Sequence, residues 1–208
     1  MNFNISLLSQ PTAPLLPTLC SSLSGSDERI KAAAAKQIYL ACMCPQSTPA
    51  QVICTLFPLL PGLAADGKQD IRISLACQLP SMAKVCVQWQ NIDYSTFKPK
   101  GKVKPPQPAT GVDVVAELLF PVAAALVISL PPQHRFHAIN AASQLAALLT
   151  PSQALDATWA HILPLCHATD EARIAALALL AAVAPHLPRA LSSSTLTSEL
   201  CFASDDTN

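Results

Sequence analysis

Apolar residues recur along the chain in blocks that share the same punctuation. A bulky apolar residue precedes proline at Leu16-Pro17, Phe57-Pro58, Phe120-Pro121 and Leu163-Pro164, with proline spacings of 41, 63 and 43. Downstream of each stands an arginine followed by a large apolar residue: Arg29-Ile30, Arg72-Ile73, Arg135-Phe136 and Arg173-Ile174, at spacings of 43, 63 and 38. Both spacings of 63 span the same interval, which holds the Pro/Lys-rich stretch Tyr94 to Gly111; leaving that stretch out restores a period of about 40 residues. When the four segments are registered on the arginines, apolar positions coincide one residue on (Ile30, Ile73, Phe136, Ile174) and ten on (Tyr39, Met82, Leu145, Val183). They coincide again eleven on (Leu40, Ala83, Ala146, Ala184) and fourteen on (Met43, Cys86, Leu149, Leu187). The pattern predicts an amphipathic second helix in each unit, with all four positions on one stripe.

The first helices carry start signals of their own. Thr48-Pro49-Ala50-Gln51 and Thr150-Pro151-Ser152-Gln153 each place a capping Thr, a Pro at the first helical position and a Gln that reaches back. Asp27, Asp70 and Asp170 lie one to three residues ahead of the arginines, where a carboxylate caps a helix or favours its positive end. Two helices in about 40 residues are the mark of a HEAT or armadillo-like solenoid. A proline inside the first helix, an acidic residue in the turn and an arginine opening the second helix resemble the HEAT pattern; unit three departs from it, with Gln133 in place of the acid. Among HEAT families, the strings Arg29 to Lys36 and Asp70 to Ala76 resemble repeats of the scaffold (A) subunit of protein phosphatase 2A.

The expected architecture is an all-α solenoid of about four HEAT-like helix pairs. Units one and two occupy residues 1–91, a Pro/Lys-rich loop 92–111, units three and four 112–191, and a Ser-rich tail 192–208. Since the period closes without residues 94–111, that segment is expected to be dispensable for folding.

Composition agrees with a folded helical chain. Of 208 residues, 51% are apolar and only 12% charged, with mean hydropathy +0.36, which excludes bulk disorder. Thirty-four alanines and 30 leucines against five glycines argue for helix over sheet. Thirteen basic and thirteen acidic residues cancel, so no global field recruits nucleic acid or an anionic membrane. The apolar run Leu118 to Leu130 is short of the roughly 20 residues of a bilayer span and contains Pro121, so no transmembrane helix is expected. Eight cysteines, mostly inside apolar helical patterns, read as buried thiols in a reducing compartment, cytoplasmic or also nuclear.

Candidate chemistry is sparse. His134 and His137 are one helical turn apart, and His161, Cys166 and His167 form a second loose cluster, but neither has the paired spacing of a zinc motif. Cys42-Met43-Cys44 is either a redox or metal pair or two helix thiols, with Met43 on the core stripe. No serine or cysteine stands at a recognised spacing from a histidine and the glycines are single, so neither catalysis nor a cofactor is expected. Catalysis would require a deep pocket around His161 and His167.

A solenoid offers helix faces and a ridge of turns, so the expected function is a non-catalytic scaffold or adaptor for other proteins. The phosphatase resemblance implies a catalytic or regulatory subunit on the ridge. Candidate partner-binding residues there are Ser26, Asp27, Lys68, Gln69, Gln133, His134, Thr169 and Asp170. Lys98, Lys100, Lys102 and Lys104, interleaved with prolines, form an extended segment that either docks an acidic partner or merely spans two units. The alternative function is a nucleoprotein accessory subunit that contacts nucleic acid through these lysines. The helix from Ile174 to Ala184 is apolar all round, which predicts a larger complex or homo-oligomer burying 172–202, an association that Leu180→Glu should alter if Leu180 lies on the outer face.

Overall fold

A computed structural model describes residues 15–95, 97 and 107–188; Lys98, Lys100, Lys102, Lys104 and the tail 192–208 lie outside the described residues. The described residues are helical, with no strand among them. Helix α1 (Leu15–Ser24) is followed by α2 (Glu28–Ala35) and α3 (Ile38–Met43). Helices α4 (Pro49–Thr55) and α5 (Leu60–Ala64) precede the long α6 (Gln69–Cys86). Helices α7 (Gly111–Val114) and α8 (Phe120–Ser129) precede α9 (Arg135–Ala146), and α10 (Pro151–His161) and α11 (Leu163–Cys166) precede α12 (Asp170–Val183).

The prolines explain why the first helices are segmented. Proline has no amide donor and its ring clashes with the carbonyl four residues back. Phe57–Leu59 accordingly tightens to a 3-10 turn around Pro58, and α11 restarts at Leu163-Pro164. Ahead of Pro121 the chain widens instead: Val115–Leu119 forms a π turn, in which Phe120 N–H donates to the Val115 carbonyl five residues back.

The caps follow the sequence closely. Asp27 accepts from the amides of Arg29 (2.9 Å) and Ile30 (3.2 Å), and both threonine-glutamine boxes form at Thr48 and Thr150. A third box, Thr110 with Asp113, opens α7. Asp70 and Asp170 lie in the first turns of α6 and α12, near their positive ends.

Successive pairs pack in chain order. Helix α3 rests on α6, α6 on α9 and α9 on α12, while α5 and α10 both contact α8. One continuous core results, running from Leu16 to Leu187, with Phe120, Ile53, Leu56, Leu79 and Met82 among its fully buried side chains.

The predicted stripe divides in two. Positions ten, eleven and fourteen residues after the arginines are buried or half-buried in units two to four. The position one residue after is not: Ile30 is 52% exposed, Phe136 59% and Ile174 68%, with Ile73 half-buried. Nine residues separate the first and tenth positions, and at 100° each they point to opposite sides of the helix. Met43 also leaves the core and is exposed, because the break between α2 and α3 resets the helical phase in unit one. The condition set on Leu180 is not met: it is 2% exposed and belongs to the core, while Ile174 faces solvent.

Candidate functional site

The four turns between first and second helices form a row tied together from unit to unit. Lys31 pairs with Asp66, and Lys68 lies 3.1 Å from Glu28, which links the first two turns. Arg72 Nη1 donates to the Ser129 carbonyl at the end of α8 (2.5 Å), which links the second unit to the third. Arg135 donates through Nε to the Leu130 carbonyl (3.1 Å) and through Nη2 to Glu171 (2.5 Å), which links the third to the fourth. Arg173 contacts Asp170 at 3.3 Å. Asp66, the acid of Arg72's own turn, pairs with Lys31 of the first unit, while Arg72 reaches the carbonyl at the end of α8. The Lys31 ammonium, followed by the Lys68 amide, holds the Asp66 carboxyl below the usual range.

This framework fixes the candidate residues. Ser26, Asp27, Lys68, Gln69, Gln133, Thr169 and Asp170 are exposed along that row and His134 is half-buried. The lysines at 98, 100, 102 and 104 lie outside the described residues, but the flanks of their segment are held together. Ile92 N–H donates to the Ala109 carbonyl (3.2 Å), Tyr94 Oη to Pro108 (3.0 Å) and Gly111 N–H to Trp89 (2.7 Å). Burial, with the nearby Cys54 and Glu117, pushes the Tyr94 hydroxyl up to about 12.

Beside the turns, the second helices carry the row Ile30, Ile73, Phe136 and Ile174, exposed except for the half-buried Ile73. Its centre holds a contact between helices: Cys77 Sγ of α6 lies 3.5 Å from His137 Nδ1 of α9, and the Phe136 ring lies 3.8 Å from the His137 ring. Cys77 and His137 are 60 residues apart. Only the shared register, which places both early on neighbouring second helices, connects them in the sequence. Partial burial raises the Cys77 thiol above its usual range, so it is held as the thiol and not as an activated thiolate.

On the first-helix side lies an apolar groove of about 700 Å³, lined by Phe57, Pro58, Leu118, Pro121, Ile128 and Leu165 among others. Its ionisable lining residues are Glu117 and His161, and burial pushes the His161 imidazole down toward its neutral form. His167 does not line the groove; it lies exposed in the following turn. Cys166 is buried, its thiol facing the Ile162 carbonyl at 3.8 Å. The loose cluster of His161, Cys166 and His167 therefore does not converge, and among the described residues no three metal-binding donors come together. Cys42 is buried against Cys86, while Cys44 is half-buried beyond the end of α3. No disulfide joins the seven described cysteines to one another; Cys42, Cys86 and Cys166 are buried as expected, but Cys20, Cys44 and Cys54 are half-buried and Cys77 is exposed, because they lie off the core side or beyond the end of their helices.

One described helical stretch, Gly111–Ser129, is long and apolar enough to cross a membrane by length and composition. Just over half of it is buried, where α8 contacts α5, α6, α9 and α10. It exceeds the run from Leu118 because α7 and the π turn extend the helix backward.

No family model matches the chain, and no curated protein is detectably similar to it.

Proposed function

We propose that the chain is a non-catalytic scaffold or adaptor, a short solenoid of four HEAT-like helix pairs that binds other proteins along its second-helix face and turn row. The observation that carries this reading is the row Ile30, Ile73, Phe136 and Ile174, one large apolar residue per unit at the same register, three of them more than half exposed. Large apolar side chains left in solvent at one repeated position on neighbouring second helices support this reading, since exposed apolar surface marks protein interaction sites. The inter-unit contacts of Lys31, Arg72 and Arg135 support the same reading, since a surface whose turns are tied together loses little entropy on docking.

The narrower reading, a phosphatase regulatory scaffold with a catalytic or regulatory subunit on the turn row, rests on the strings at 29–36 and 70–76. A cytoplasmic or nuclear setting is the reading that eight cysteines scattered through apolar helical patterns support. The competing nucleic-acid reading rests on Lys98, Lys100, Lys102 and Lys104.

Two measurements separate the readings. Affinity purification with the wild type and with Phe136→Glu/Ile174→Glu should recover a protein partner that the double variant loses while its helical content stays unchanged. A partner retained by the double variant would refute the face assignment. If the four lysines instead bind nucleic acid, affinity should fall with salt at a logarithmic slope of about −3 to −4.

A further inference from the structure

We propose that Cys77 and His137 are half of a tetrahedral site for a soft divalent metal ion such as zinc, and that a second copy of this chain supplies the other half. The geometry at the pair carries the proposal. A zinc–sulfur bond of about 2.3 Å and a zinc–nitrogen bond of about 2.0–2.1 Å, at a tetrahedral angle, place the two donor atoms about 3.5–3.6 Å apart. Cys77 Sγ and His137 Nδ1 stand 3.5 Å apart, each on a different packed helix, which matches that separation. Thiolate with imidazole is a donor set that selects zinc and similar ions over magnesium or calcium, which take oxygen.

Two donors fill half of the shell, and no third described donor joins them. A second copy brings two more of the same kind through one two-fold operation, which is the commonest symmetry of homo-oligomers. The resulting site has two thiolates, two neutral imidazoles and one dipositive ion, so it is neutral, with each thiol releasing one proton to solvent as its sulfur–metal bond forms. Neutrality suits the location. Ile73 lies one turn before Cys77 and Phe136 packs on His137, so approach of a second copy covers apolar surface at the same time. The chain has no net charge, so the two copies do not repel each other through a global field. The inference does not rest on the scaffold reading: it needs only these two side chains, and a second copy would take the centre of the second-helix face that the scaffold reading gives to other proteins.

The test titrates metal-free protein, kept reduced with a phosphine, with zinc and with cobalt(II), read by sedimentation and absorption. The expected result is a doubling of mass that saturates at one ion per two chains and is reversed by chelator. Cobalt should add a thiolate charge-transfer band together with tetrahedral d–d bands. Cys77→Ser and His137→Asn should each lose both effects with unchanged circular dichroism, whereas His134→Gln and Cys54→Ser should keep them. Cys77→His should restore the metal-dependent doubling without the thiolate band, which separates loss of a ligand from loss of fold. A wild type that stays monomeric with zinc, one ion bound per single chain, or metal-dependent doubling that survives Cys77→Ser would overturn the proposal.

Discussion

Replacing Arg72 with alanine tests whether the units are held by contacts between neighbours. Its guanidinium donates to the Ser129 carbonyl, one of the unpaired acceptors at the C-terminal end of α8, where a positive charge is also favoured by the helix dipole. A hydrogen bond from a charged donor contributes about 1.5–3 kcal/mol, and the dipole adds about 0.3–1 kcal/mol. The half-buried stem adds about 1 kcal/mol of packing. Against this, Arg72 Nε is buried without a partner, and its removal returns about 1–2 kcal/mol. The net loss for Arg72→Ala is therefore about 2 kcal/mol, which lowers the melting temperature by about 4–8 °C for a chain of this length. Arg72→Met keeps most of the stem and should lose about half as much. Arg29 occupies the same register position in unit one but is exposed, so Arg29→Ala should change stability by less than about 0.5 kcal/mol. Thermal and urea unfolding of the three variants give the comparison. If Arg72→Ala were no more destabilising than Arg29→Ala, the contact would not hold units two and three together.

Further predictions concern the loop stem, the first turn pair and the lysine segment. A Cβ on Gly111 would lie 1.6 Å from the Cys86 carbonyl oxygen, a backbone atom that cannot swing away, so Gly111→Ala should cost at least about 1–3 kcal/mol in urea unfolding. Asp66, held below its ordinary value near 3.8, stabilises the fold above that pH, and the contribution is lost as pH falls through its folded value. Asp66→Asn should thus lose about 1 kcal/mol at pH 7, and its stability should depend less on pH below about 4. Replacing residues 98–106 by a short Gly/Ser linker should leave cooperative unfolding intact and the melting temperature nearly unchanged. Removal of the whole of 94–111 should be destabilising, because it takes away Tyr94, the Thr110 cap and Gly111.

Much of the helical layout is legible in the sequence because its signals are local. Thr48, Thr150 and Asp27 cap through backbone groups two or three residues away, and Pro58, Pro121 and Pro164 act on the carbonyl one turn back. The core stripe at ten, eleven and fourteen residues past Arg72, Arg135 and Arg173 is likewise set by one helical period. What the sequence hides depends on distant partners. Arg72 finds a carbonyl 57 residues on, and Cys77 meets a histidine 60 residues on, through the packing of α6 on its neighbours. The apolar residue after each arginine illustrates a different limit. Periodicity detects that Ile30, Phe136 and Ile174 are apolar, but their burial depends on angular position, and half a turn from the core stripe places them in water. The groove beside His161 also needs three first helices at once, so no single segment announces it.

Site-specific photo-crosslinking tests the central claim most directly. A photoreactive phenylalanine analogue placed at Phe136 or at Ile174, and at exposed Asp156 on α10 as a control, would be irradiated in the cells that make the protein. A scaffold that docks partners on its second-helix face predicts a discrete protein adduct from positions 136 and 174 and none from 156. Adducts from all three positions alike, or from 156 alone, would contradict it.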